Sequence, residues 1–158
     1  MKNKFVPLLI TLPLLIGCKY TYNYHKYTGA KIVLDYVEEG ALVEITPSEL
    51  LSFTENQKSM ICLFGIENCS SCNNVKKNLQ NYSVAENCNT YWVNAKKALE
   101  NKDDIDALKK ATSGYYEWGE KESYPLVYFF FKGDVAFRCG EEDVTTFITN
   151  YVEVAPKS

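Results

Sequence analysis

Residues 60–79 read MICLFGIENCSSCNNVKKNL: an unbroken apolar run, a short polar turn holding Cys69 and Cys72, then a stretch with helical periodicity. The run 60–65 has the character of a strand buried on both faces, as at the centre of a parallel sheet. Past the turn, Cys72, Val75, Leu79 and Tyr82 recur at steps of three and four and so share one helix face, while Asn73, Asn74, Lys76, Lys77, Asn78 and Gln80 cover the rest. The second cysteine therefore belongs to the buried stripe, and the first to the head of the helix. Such a pair can be a redox couple, half of a metal site or a structural staple.

Working outward, residues 41–45 (ALVEI) read as a short strand. The stretch after it opens with a capping box, with Thr46 as N-cap, Pro47 at the first helical position and Glu49 three residues past the cap, and predicts a helix of about ten residues. On the far side, residues 89–95 (NTYWVNA) predict another strand, and residues 96–123 a charged helical stretch followed by a loop with Gly and Glu. Leu126 to Phe131 form a second buried apolar run, and Lys132, Gly133 and Asp134 supply turn chemistry. Val135, Phe137 and Cys139 then alternate with Ala136 and Arg138, which completes a hairpin. Val144, Phe147, Ile148 and Tyr151 make the apolar face of a last helix. This alternation of strands and helices predicts a mixed α/β layer structure.

A buried strand, Cys-Ser-Ser-Cys at a helix head, strand, helix, then Tyr124-Pro125 before a hairpin and a final helix: over residues 41–154 this order resembles the thioredoxin-like fold family. The resemblance implies an α/β fold with a central mixed β-sheet flanked by helices. It implies that Pro125 forms a cis peptide bond and faces the cysteine pair, an arrangement that is cheap only before proline. It further implies that the backbone of Tyr124 is a substrate-docking edge for an extended stretch of a target protein. The implied activity is thiol-disulfide oxidoreduction on protein thiols or disulfides, with no cofactor beyond the two cysteines.

The placement of the pair gives each sulfur a role. A thiolate, not a thiol, attacks a disulfide, and the head of a helix offers unpaired N–H groups and the positive end of the dipole. Cys69 is the expected nucleophile, partly exposed at the turn; Cys72, facing inward, is the expected resolving thiol. The sequence also departs from the family pattern. Asn68 stands where a tryptophan is usual, Leu63 where a buried aspartate assists proton transfer, and Ser70-Ser71 where Gly-Pro is common. The loop around Tyr115, Tyr116 and Trp118 is longer than a minimal member of the family would have, and these aromatics either cover the core or rim a partner site. A second function class therefore stays open: a binding module or export accessory in which the pair is a structural disulfide.

Metal chemistry fits poorly. A closed zinc site needs about four ligands, commonly from two pairs, whereas Cys62, Cys88 and Cys139 are isolated. Haem attachment would need a histidine after the second cysteine, where Asn73 stands, and copper delivery a wider spacing with a histidine in the domain. Cys62 reads as a small buried apolar residue, and Cys88 and Cys139 fall on opposite sides of the expected sheet, beyond the roughly 7 Å Cα reach of a disulfide.

The N-terminus carries an address. Lys2 and Lys4 precede an apolar stretch from Phe5 to Ile16, which is interrupted by Pro7 and Pro13 and too short for a spanning helix of about 20 residues. Its end, LLIGC, resembles the lipobox of bacterial lipoproteins, which makes residues 1–17 a lipoprotein signal peptide and Cys18 the acylated first residue of the mature chain. Residues 18–30, tyrosine-rich and holding the sole histidine, His25, read as the tether, and residues 31–158 as the domain. The expectation is an extracytoplasmic monomer anchored by lipid to a bacterial membrane, at the cell surface or in the periplasm. With 17 basic against 20 acidic residues and no basic stripe, nucleic acid is not an expected partner.

Overall fold

The computed structural model describes residues 29–113 and 123–157. The signal, Cys18, most of the tether with His25, and the loop aromatics Tyr115, Tyr116 and Trp118 lie outside the described residues. Strand β1 (Ile32–Leu34) comes first, then β2 (Leu42–Glu44), helix α1 (Pro47–Glu55), β3 (Met60–Gly65) and the long helix α2 (Ser70–Glu86). Strand β4 (Thr90–Asn94) leads into α3 (Ala95–Leu99) and α4 (Lys102–Ala111). The hairpin β5 (Leu126–Phe131) and β6 (Asp134–Cys139) follows, then a 3-10 turn (Glu141–Asp143), α5 (Val144–Tyr151) and β7 (Val152–Val154).

Five strands form the main sheet in the order β2-β4-β3-β5-β6. Strand β3 is central: it runs parallel to β4 and antiparallel to β5, so the sheet is mixed. All six of its residues are buried, as the apolar run requires. The pleat sorts their side chains into two cores. Met60, Cys62 and Phe64 join Tyr128 and Phe130 of β5 on one face, beneath Leu50 of α1 and Leu108 of α4. Ile61 and Leu63 join Val127 and Phe129 on the other, beneath Val75 and Leu79 of α2 and Val144 and Phe147 of α5.

Local chemistry sets the element ends. Both halves of the predicted capping box form at Thr46 and Glu49, and α1 starts at Pro47. Lys132 (φ 50°) and Gly133 (φ 85°) both adopt left-handed conformations, the requirement of a tight hairpin turn. A side chain at Gly133 would run into the Thr54 carbonyl, so the turn needs glycine for space as well as for φ.

Two features differ from the sequence expectation. The charged stretch after β4 is two helices rather than one, because Asn101 breaks it and caps α4 by accepting the Asp103 N–H at 2.9 Å. The chain also carries a parallel two-stranded ribbon, β1 with β7, in which Ile32 pairs with Val152 and Leu34 with Val154. Ile32 and Leu34 are buried in the same core as Val75 and Phe147, so the ribbon extends that layer beyond the main sheet.

Candidate active site

The site is built where β3 gives way to α2. Asn68 takes a left-handed φ of 58°, a conformation that asparagine tolerates better than most residues, and this turns the chain sharply before the helix. Cys69 follows in an extended conformation (φ −108°, ψ 112°) and is the N-cap of α2. Its sulfur accepts the backbone N–H of Cys72 at 3.1 Å, filling the place a serine or aspartate oxygen takes in an ordinary cap. The two cysteines are disulfide-bonded, with Cα atoms 5.2 Å apart.

Their surroundings are unequal. Cys69 is half-buried at the turn, while Cys72 has no exposed surface. The Cys72 sulfur lies against Gly65: a side chain begun there would sit 3.6 Å from the sulfur and 3.9 Å from the Leu63 side chain. The inner wall is thus the bare backbone at the end of β3, and Leu63, two residues before it on the same face, is fully buried. No carboxylate stands at that position.

Tyr124 and Pro125 lie just before β5, the strand next to β3 in the sheet. Phe64 pairs with Leu126 in the antiparallel register, and one step further the register sets Pro125 opposite Gly65. The Tyr124-Pro125 peptide is cis, and Pro125 is buried. The structure therefore sets Cys72 against Gly65 at the end of β3, with Pro125 immediately before β5, the antiparallel neighbour of β3. Cys18, predicted as the lipidated residue, lies outside the described residues.

Charge is distributed on both sides of the turn. Glu67 accepts a hydrogen bond from the buried Asn94 amide at 3.1 Å and faces Lys97 at 4.0 Å. On the opposite side, the Asn74 amide donates to Glu141 at 3.3 Å, which ties the first turns of α2 to the segment after β6. Gly65, Asn94 and Glu141 were missed by the sequence reading. Gly65 had a signal, a glycine ending a buried strand just before the cysteine turn, which often marks a close backbone approach.

Among the described residues the other cysteines, Cys62, Cys88 and Cys139, are unpaired thiols, all buried. Burial pushes Cys88 up to about 11, with Glu86 adding to it, and pushes Cys139 up to about 12, with Asp143 adding to it. Burial raises Cys62 further still. As thiols they are inert near neutral pH. Among the described residues no group of three or more His, Cys, Asp and Glu side chains is placed to hold a metal ion.

A chain in the crystal structure of a complex of ferredoxin:thioredoxin reductase with thioredoxin f2 superposes with a TM-score of 0.53, covering 72% of this chain and 96% of that one at 12% sequence identity. The chain has the thioredoxin fold. Thioredoxin O1 from Arabidopsis thaliana in its oxidized state is also similar, with a TM-score of 0.48 over 70% of this chain and 94% of that one at 15% identity. No family model matches the sequence, and no curated protein matches it significantly. Within the thioredoxin fold, a cysteine pair at disulfide distance heading a helix fits a redox role.

Proposed function

We propose that this protein is an extracytoplasmic, lipid-anchored thiol-disulfide oxidoreductase acting on protein disulfides through Cys69 and Cys72. The observation that carries the reading is the unequal placement of the two sulfurs. Cys69 caps α2 at a half-exposed turn and accepts a backbone N–H, whereas Cys72 is fully enclosed behind it. An accessible sulfur stabilised as an anion attacks; an enclosed sulfur within bonding reach resolves.

In the reducing direction the Cys69 thiolate attacks one sulfur of a partner disulfide, forming a mixed disulfide and releasing the partner's other sulfur as a thiolate. Cys72 then loses its proton and attacks Cys69, closing the internal disulfide and releasing the partner's second sulfur. The oxidising direction is the same path reversed. The segment at Tyr124 and Pro125 is the docking edge for the partner chain, and no cofactor is required. Anchoring is assigned to Cys18.

The test is a trap. Cys72→Ser leaves the attack intact and removes resolution, so partner proteins should accumulate as mixed disulfides through Cys69 in the compartment where the protein resides. Cys69→Ser should abolish them. If Cys72→Ser traps nothing and the wild type exchanges no disulfide, the pair is a staple and the protein is a binding module on the thioredoxin fold.

A further inference from the structure

Resolution requires the enclosed Cys72 thiol to become a thiolate. Burial against Gly65 opposes this, because an anion there gives up hydration, and Leu63 stands where a carboxylate relay would be. Carboxylates stand near the first turns of α2. Glu44 on β2 and Glu67 before α2 act on Lys76, one turn beyond Cys72 on α2, and Glu141 reaches the first turns of α2 through Asn74. Each of these carboxylates disfavours a second negative charge.

One cation stands out among the described residues. Lys76 follows Cys72 by four residues on α2, the spacing at which side chains on a helix are neighbours, about 5–6 Å apart at Cβ. Its ammonium lies over the Trp92 ring, 3.0 Å from the centroid. Trp92 is on β4 and pairs in register with Leu63, which shares its face of β3 with Gly65, the residue against which the Cys72 sulfur lies. The indole thus holds the ammonium against the sheet, on the same layer as the resolving sulfur. Burial lowers the Lys76 amine from its ordinary value, and Glu44 and Glu67 oppose that lowering.

We propose that Lys76, clamped on Trp92 one helical turn beyond Cys72, is a positioning residue for the second half of the exchange: its positive charge stabilises the Cys72 thiolate as it attacks Cys69. This rests on the oxidoreductase reading. The proton of Cys72 goes to solvent, the Cys72–Cys69 bond forms, the bond from Cys69 to the departing sulfur breaks, and that sulfur leaves as a thiolate. Lys76 changes no bond.

The two halves separate in a stopped-flow reaction of the reduced protein with dithionitrobenzoate. Attack by Cys69 releases one coloured thiolate, and resolution by Cys72 releases a second, which Cys72→Ser should lack. Lys76→Gln should leave the first release unchanged and slow the second about tenfold near pH 7, with its pH midpoint raised by about one unit, since a tenfold change in thiolate fraction corresponds to one unit. Lys76→Arg should restore the wild-type midpoint. A cooperative thermal unfolding transition like that of the wild type shows that the variant is folded. A second release with the same pH midpoint in all three proteins would overturn the role of Lys76 and leave the oxidoreductase reading standing. Absence of the first release from the wild type would overturn both.

Discussion

The two sulfurs of the pair share a bond and little else. Cys69 sits where a helix cap would sit, and its sulfur already accepts an N–H in the closed form. Cys72 has no exposed surface and lies against the backbone of Gly65. In the reduced protein an alkylating reagent near neutral pH should therefore label Cys69 well before Cys72, as peptide mass spectrometry would show; equal labelling rates would contradict the assignment of roles. The remaining thiols act on stability instead. Cys88 and Cys139 are raised from 9.0 to about 11 and about 12 in the folded chain. The sign follows from linkage: below about 9 both states hold these protons and nothing is lost. Above it the unfolded chain releases them first, so stability falls as pH rises toward 11 and 12. Thermal unfolding of the oxidised protein should show this decline, and Cys139→Ala should flatten it whatever its effect on the melting temperature at pH 7. An unchanged slope would show that Cys139 does not titrate in this way.

Among the elements, α1 and the β1–β7 ribbon make opposite demonstrations. The start of α1 is fully local: threonine, proline and glutamate at fixed offsets form the cap that they predict. Thr46→Ala should cost about 1 kcal/mol in denaturant unfolding with no change in disulfide chemistry. The ribbon is not local at all. Its strands are three residues each and lie at opposite ends of the domain, too short to show alternation and paired only because the fold brings them together. It is nevertheless part of the core. Ile32 has no exposed surface, and Ile32→Ala should cost about 2–5 kcal/mol, the range for emptying a buried aliphatic site. A loss below 1 kcal/mol would show that the ribbon is an ornament on the sheet. The division of residues 96–111 into two helices had its own signal, Asn101 ahead of Asp103 and Asp104, but the lysine-rich charged pattern on either side masked it.

For the molecule as a whole, what was legible in the sequence is what each segment decides by itself. The buried run of β3, the helical stripe of Cys72, Val75 and Leu79, the capping box and the hairpin turn all depend on neighbours a few residues apart, and all appear where their pattern places them. The cis Tyr124-Pro125 bond was legible through resemblance alone. What was hidden depends on approach between distant segments: Gly65 as the floor beneath Cys72, Asn94 holding Glu67, and Trp92 beneath Lys76. No spacing encodes such contacts, because they exist only once β3, β4 and α2 are packed. The functional reading stands on that packing, which encloses one sulfur and leaves its partner at a half-open turn. The most direct measurement is the reduction potential of the Cys69–Cys72 pair, set by equilibration against thiol-disulfide buffers of known poise. An exchanging pair should lie above roughly −300 mV, within reach of protein partners, whereas a value below that would mark a permanent staple and contradict the account.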